Sequence, residues 1–124
     1  MREIFARKAL LPGGWADNVK ISIDAGVVAA VEPGAELPAA TTDVVVPGLA
    51  NAHSHAFQRA LTGRAEYSTG QDTFWTWRRL MYALAARLDA DALEAIAGQL
   101  YTEMLCAGYT AVVEFHYVHR DLGD

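Results

Sequence analysis

The 124-residue sequence predicts an α/β protein in which a small β-rich unit precedes a strand–helix–strand segment. Residues 1 to about 47 alternate between apolar and polar side chains, as half-buried strands do. Beyond residue 72, apolar residues recur at helical spacing, and a second apolar strand follows. Such a crossover builds a parallel sheet, although two strands do not distinguish a closed barrel from an open sheet.

The β-rich unit is predicted from three alternating strands and the breaks around them. The strands cover residues 4–10, 19–24 and 27–32. Asp24-Ala25-Gly26 supplies a tight turn between the second and third strands, and Pro33-Gly34 ends the third. A surface connection rich in Ala, Pro and Thr then follows.

The boundary between two domains is predicted at a Pro-Gly break. Val44-Val45-Val46 is a continuous β-branched run, which predicts a strand buried on both faces in a parallel sheet. Pro47-Gly48 interrupts this run. We therefore assign residues 1–47 to the N-terminal part of a small β domain and residues 48–124 to a second domain.

Two helices are predicted in the second domain, each with a capping residue at its start. The candidate caps are Asp72 or Thr73 for the first helix and Asp91, in a capping box with Glu94, for the second. Gly108 stands where the second helix would end in a left-handed conformation. Residues 110–115 then form another apolar strand.

Charge and composition exclude several classes of partner. The net charge is −5 and the ten basic residues are scattered, which argues against binding to nucleic acid. No apolar run approaches the roughly 20 residues needed to span a membrane. Cys106, the single cysteine, lies in an apolar helical pattern, where we expect it to be buried. A lone cysteine and the lack of a signal peptide predict a cytoplasmic protein.

His53 and His55 are the candidate metal ligands. Alternate residues at the end of a strand point to the same side, so both imidazoles can reach one ion. Neutral imidazole binds zinc, and a catalytic zinc site keeps a position open for water. The alternative is a pair of structural histidines that hydrogen-bond to loops or solvent.

Pro47-Gly-Leu-Ala-Asn51-Ala-His53-Ser-His55 closely resembles the first barrel strand of the amidohydrolase superfamily, whose pattern is Pro-Gly-hydrophobic-x-x-x-His-x-His. Asn51 stands where that family usually has Asp. The resemblance implies an α/β fold that is the N-terminal part of a metal-dependent (β/α)₈ barrel hydrolase, preceded by a small β-sandwich-like unit. It also implies that His53 and His55 bind Zn²⁺, one divalent metal per active site.

A narrower resemblance, to the formimidoylglutamate deiminase family, covers most residues from 47 to 119. The blocks that carry it are His53-Ser-His-Ala-Phe-Gln-Arg-Ala60, Phe74-Trp-Thr-Trp-Arg78, Tyr101-Thr-Glu-Met-Leu105 and Glu114-Phe-His-Tyr117. It implies hydrolysis of N-formimino-L-glutamate to N-formyl-L-glutamate and ammonia, a step of histidine degradation.

The same resemblance implies that three residues bind the substrate. Gln58 and Tyr117 would hydrogen-bond to it, and Arg78 would pair with a carboxylate, for which a guanidinium fork is suited. Each has an alternative: Gln58 as a loop cap, Arg78 as a solvated helix residue with Arg79 as the adjacent candidate, and Tyr117 as rim packing.

Four further polar residues are not assigned to the site. Strand alternation sets His116 opposite Tyr117, and His119 falls in a predicted loop, so neither is expected to bind the metal. Glu103 is expected on a helix surface, and Glu114 is expected in a strand salt bridge.

We expect the chain to be a fragment that does not turn over substrate. A (β/α)₈ barrel takes about 250 residues, so the later metal ligands and the acid–base residues would lie beyond residue 124, and no catalytic residue is assigned here. The full-length protein is expected to be a homodimer. Two alternatives remain open: a deaminase of the same superfamily that acts on a heterocyclic ring, and a non-enzymatic small α/β domain.

Overall fold

The structure, a computed structural model, describes residues 1–67, 70 and 73–119. The chain divides into two compact units, Met1–Pro47 and Gly48–Asp124. Both contain sheet, and the second also contains helices, so the fold is mixed α/β. No helix in the described ranges is long and apolar enough to cross a membrane.

The first unit is a single four-stranded sheet. Its strands are β1 (Arg2–Leu11), β2 (Gly14–Asp24), β3 (Val27–Glu32) and β4 (Thr42–Val45), in the spatial order β3-β2-β1-β4. β2 is antiparallel to both β1 and β3, whereas β4 runs parallel to β1. Ala9, Val19 and Ile21 form the buried cluster on this sheet. The three predicted alternating strands are confirmed, and the first two are longer than predicted.

The valine run does not form the buried strand that was predicted. It contributes to β4, which lies at the edge of the first unit's sheet and pairs only with β1 there. Val44 is 52% exposed and Val46 is 55% exposed. The parallel pairing was correct and the burial on both faces was wrong, because β-branched residues indicate a strand without indicating what covers it. With one layer of sheet in residues 1–47, the sandwich-like arrangement stays a prediction.

The second unit is built on two parallel strands joined through helices. Its elements are β5 (Leu49–Ser54), a 3₁₀ helix (Ala56–Leu61), α1 (Phe74–Ala85), α2 (Ala90–Cys106) and β6 (Tyr109–Glu114). β5 and β6 pair in parallel, with an irregularity in register between Asn51 and Ser54. Four side chains from the 3₁₀ helix, α1 and the following loop form the buried core, namely Phe57, Leu61, Met81 and Leu88.

The helix ends agree with the sequence-based predictions at two of the three points that were predicted. Thr73 is the N-cap of α1, and its main-chain N–H donates to Thr76 Oγ1 at 3.0 Å; Asp72, the other candidate, lies outside the described residues. Gly108 follows α2 with φ +89°, as predicted. The cap of α2 is Asp89, not Asp91: Asp89 Oδ1 accepts from Ala92 N at 2.8 Å.

Asp91 lies in the first turn of α2, where a negative charge is still favourable to the helix dipole. Cys106, which was expected to be buried, is exposed at the end of the same helix.

The close approach of Thr110 on β6 explains why the residue before β5, Gly48, is a glycine. A Cβ atom built at Gly48 would lie 2.7 Å from the Cβ of Thr110 on β6. Leu49 N–H donates to Gly108 O at 2.9 Å across the same pair of segments. The two segments of backbone therefore approach closely at this point, and only a residue without a side chain fits.

Candidate metal centre

The two histidines meet at the carboxyl end of β5. His53 lies within the strand and His55 directly follows its last residue, Ser54, whose exposure is only 6%. The Nε2 atoms of His53 and His55 are 2.9 Å apart, and their rings are nearly perpendicular at 82°. The alternation that puts Ser54 in the interior thus brings both imidazoles together on the other side.

His55 is oriented by the main chain directly after β6. Its Nδ1 lies 3.0 Å from the carbonyl oxygen of Phe115. Because a carbonyl oxygen only accepts, the Nδ1 atom of neutral His55 carries the proton and its Nε2 presents a lone pair. Such an outer hydrogen bond, which fixes the tautomer and the ring, is typical of histidines that bind metals.

Asn51 holds the backbone that carries His53. Its Oδ1 accepts a hydrogen bond from the main-chain N–H of His53 at 3.0 Å. An aspartate has an equivalent oxygen, so this contact does not require the acid that the superfamily usually has at this position. The other end of the Asn51 amide lies 4.0 Å from Met104 Sδ, at the limit of a weak contact to sulfur.

The histidine pair fits a divalent metal. Two nitrogens bound to one ion at about 2.0–2.1 Å can be at most about 4.2 Å apart, and the observed 2.9 Å lies within that limit. Imidazole is a suitable ligand for zinc, and the His55 lone pair is available to it. Among the residues that the structure describes, no group of three or more His, Cys, Asp or Glu converges to complete such a site.

Tyr117 is the one predicted substrate-binding residue beside the histidines. Its ring stands edge-on to that of His55, with the ring centroids 4.9 Å apart, and it also contacts Phe57. A concave surface at this strand end is lined by Ala52, His53, Ser54, His55, Val113, Phe115 and Tyr117. His116 lines a different cavity, together with Tyr117 and Glu114, and its exclusion from the metal site stays a prediction.

Gln58 and Arg78 do not line this concave surface. Gln58 Nε2 lies 3.3 Å from Met81 Sδ, so its amide points towards α1. The Arg78 guanidinium packs over the rings of Trp75 and Tyr82, at 5.6 and 5.1 Å from their centroids. It also lies 3.4 Å from the Tyr82 hydroxyl. Their roles in substrate binding stay predictions.

Glu103 belongs to an ion pair on the surface of α2. Its carboxylate accepts from Arg59 Nε and Nη2 at 2.8 and 2.9 Å, and from Gln99 at 2.8 Å. The hydrogen bonds from Arg59 and then Gln99 lower the pKa of Glu103 from 4.5 to about 2. The pair ties the 3₁₀ helix to α2, and the expectation of a helix-surface role is confirmed.

Glu114 was expected in a salt bridge, and the structure corrects this. Its Oε1 accepts from the main-chain N–H of Ala56, the residue after His55, at 2.7 Å. Its Oε2 is buried, and no described residue makes a hydrogen bond of good geometry to it. The pKa of the nearby Tyr101 hydroxyl is raised by burial, by the charge of Glu114 and by the approach of that carboxylate to hydrogen-bonding distance. A strand-terminal Glu gives no local signal of this role, because the contact joins residues 58 positions apart.

Comparison with known families gives two adjacent matches along the chain. Residues 1–42 match the model described as formimidoylglutamate deiminase HutF, N-terminal domain. Residues 44–124 match the model described as the amidohydrolase family.

Individual relatives agree with these matches. The chain is 56% identical to formimidoylglutamate deiminase of Pseudomonas aeruginosa, over 98% of the chain and 28% of that enzyme. It is 45% identical to an amidohydrolase from Brucella melitensis, whose crystal structure superposes with a TM-score of 0.86 over 98% of the chain and 28% of that protein. Atrazine chlorohydrolase TrzN from Arthrobacter aurescens, solved with zinc, is 21% identical with a TM-score of 0.69 over 91% of the chain and 28% of its own length.

Proposed function

The chain belongs to the amidohydrolase family, and we propose that it supplies two ligands, His53 and His55, to the catalytic metal of a larger hydrolase. The observation that carries the proposal is the 2.9 Å approach of the two Nε2 atoms, with His55 oriented by a main-chain carbonyl. The parallel strands β5 and β6 would be the first two of a (β/α)₈ barrel, in which active sites lie at the carboxyl ends of the strands. The remaining ligands would come from residues outside this chain.

We infer that the substrate is N-formimino-L-glutamate, which the complete protein would hydrolyse to N-formyl-L-glutamate and ammonia. Support comes from the match of residues 1–42 and the 56% identity to formimidoylglutamate deiminase, of which the chain spans 28%. Zinc is the metal that we propose, since imidazole nitrogen suits it and TrzN was solved with it. A place in histidine degradation, a cytoplasmic location and a homodimeric form are further predictions for the complete protein.

The residues of this chain would hold and orient rather than transfer protons. A bound metal would activate water and polarise the C=N bond. His53 and His55 would fix the position of that metal, and the Phe115 carbonyl would keep the His55 proton on Nδ1. Tyr117, whose ring contacts His55, would offer its hydroxyl to the substrate. Gln58 would hydrogen-bond to the substrate, and Arg78 would pair with one of its carboxylates.

Ammonia release from N-formimino-L-glutamate by the full-length protein tests the proposal. We expect turnover by the wild type and its loss, with loss of stoichiometric zinc, in His53→Ala and His55→Ala. His119→Ala, outside the histidine pair, is the matched control and should keep both zinc and activity. Turnover that persists without both ligands would refute the metal role, and a failure to release ammonia would refute the substrate.

The alternative within the family is a heterocyclic ring as substrate. Its support is the similarity of fold to atrazine chlorohydrolase. Arg78→Met distinguishes the two, because a dicarboxylate needs a cationic partner and a neutral ring does not. We expect Arg78→Met to abolish use of N-formimino-L-glutamate and the adjacent Arg79→Met to leave it nearly unchanged. The family match over residues 44–124 argues against the non-enzymatic small domain.

A further inference from the structure

The turn that follows His55 depends on a side chain of the neighbouring strand. Ala56 is only 3% exposed, so its main-chain N–H is shielded from water. A buried N–H without a partner is costly, and here its partner is Glu114 Oε1 at 2.7 Å. The acceptor is a carboxylate, which makes stronger hydrogen bonds to N–H than a neutral oxygen does.

This bond lies just beyond an irregular stretch of the strand ladder. The register of β5 and β6 shifts between Asn51 and Ser54, a stretch that contains His53. Beyond the irregularity the two strand ends are joined by Phe115 N–H to Ser54 O at 3.0 Å and by His55 Nδ1–H to Phe115 O at 3.0 Å. The hydrogen bond from the Ala56 N–H to Glu114 is the third connection, and it fixes the backbone immediately after His55.

The carboxylate of Glu114 is largely buried, which is unusual for a charged group. Its second oxygen is buried, and no residue in the part of the chain that the structure describes makes a hydrogen bond of good geometry to it. Burying a carboxylate costs free energy that a neutral acceptor of the same length would not. The other oxygen of Glu114 binds the main chain of Ala56, the residue that follows the candidate ligand His55, so this side chain bears on the geometry of the site.

We propose that Glu114 is a positioning residue for the metal ligand His55. Its carboxylate fixes the Ala56 end of the turn while the Phe115 carbonyl fixes the imidazole, so that the Nε2 of His55 is held beside that of His53. The inference rests on the proposed metal site. It adds an outer contact that acts through the main chain of Ala56, the residue after His55.

Two variants of the full-length protein separate hydrogen bonding from charge. Glu114→Gln keeps the length of the side chain and an acceptor oxygen, and it should bind zinc nearly as tightly as the wild type. Glu114→Asp keeps the charge but withdraws the acceptor from Ala56, and it should bind zinc about 10- to 100-fold more weakly, the loss typical of removing an outer contact to a metal ligand. Zinc affinity is measured by competition with a chromophoric chelator.

Hydrogen exchange of the Ala56 amide in the metal-free protein gives a second readout. Exchange should be faster in Glu114→Asp than in Glu114→Gln or the wild type. Glu94→Asp is the matched control, because Glu94 lines the same cavity as Glu114 but lies on α2. It should change neither affinity nor exchange.

The outcomes divide the two proposals. The role of Glu114 is overturned if Glu114→Asp binds zinc as tightly as the wild type, or if Glu114→Gln binds zinc more weakly than Glu114→Asp does. In either case the loss of zinc in His55→Ala would leave the metal site itself standing. If His53→Ala and His55→Ala retain zinc, the metal site itself is refuted and the role of Glu114 falls with it.

Discussion

Replacing Gly48 with alanine should weaken the pairing of β5 with β6. The new Cβ would lie 2.7 Å from Thr110 Cβ, whereas carbon atoms in contact are normally about 3.5–4.0 Å apart. Rotation of the Thr110 side chain does not relieve this contact, because its Cβ is fixed to the backbone. The strands must separate by up to about 1 Å, and overpacking of this kind costs about 1–3 kcal/mol.

Gly98→Ala is the matched control for this substitution. Gly98 lies within α2, and a Cβ there would meet no atom within 4 Å. Alanine in an exposed helix interior is more favourable than glycine by about 0.5–1 kcal/mol. The same chemical change should therefore stabilise α2 and destabilise the β5–β6 pair.

Urea unfolding of the full-length protein measures both effects, and hydrogen exchange at the Leu49 amide reports the local one. Leu49 N–H donates to Gly108 O beside the crowded point, so its protection should fall in Gly48→Ala alone. Thr110→Gly removes the opposing Cβ, and combining the two substitutions should recover part of the loss. A Gly48→Ala protein as stable as Gly98→Ala, with full protection of Leu49, would refute the steric argument.

Three further predictions concern pH, helix capping and metal removal. The pKa of Glu103 in the folded protein is about 2, below its ordinary value of 4.5. The stabilisation that Arg59 provides is therefore complete above pH 4.5 and is lost as the pH falls towards 2. A double-mutant cycle with Glu103→Gln and Arg59→Gln, repeated across that pH range, should show the coupling disappear. Asp89→Ala should cost about 0.5–2 kcal/mol of unfolding free energy and Asp91→Ala less, and equal losses would contradict the assigned cap. Chelation should lower the thermal midpoint of the full-length protein, because a ligand at 100 times its Kd adds about 2.7 kcal/mol of stability, and a variant lacking both histidines should not respond.

Patterns local in sequence predicted most of the secondary structure. Alternation located β1, β2 and β3, and helical periodicity with Gly108 located α2 and its end. The error at the start of α2 arose because two residues there could each cap the helix. Asp89 and Asp91 both precede the apolar pattern of α2, and only the hydrogen bond to Ala92 decides between them.

The valine run shows a second limit. Val44 to Val46 has the composition of an interior strand, yet the position of β4 at a sheet edge depends on its pairing with β1, about 36 residues earlier. Strand propensity contains no information on that pairing. The prediction failed for this reason and not because the strand itself was missed.

The candidate site was predictable where it depends on spacing and not where it depends on long-range contacts. His53 and His55 meet because strand alternation puts them on one side. The Glu114 carboxylate and the Phe115 carbonyl come from the end of β6 and the residue after it, about 60 positions later. Their contacts with Ala56 and His55 follow only from the pairing of β5 with β6.

The position of β1 has a practical consequence for anyone who produces this protein. β1 lies between β2 and β4, so residues 2–11 form an interior strand of the four-stranded sheet. A deletion that removes these residues would abolish two of the three strand pairings of that sheet and leave β4 without a neighbour. Shortened variants should accordingly keep residues 2–11, and a purification tag should be joined through a flexible spacer that leaves β1 free to pair.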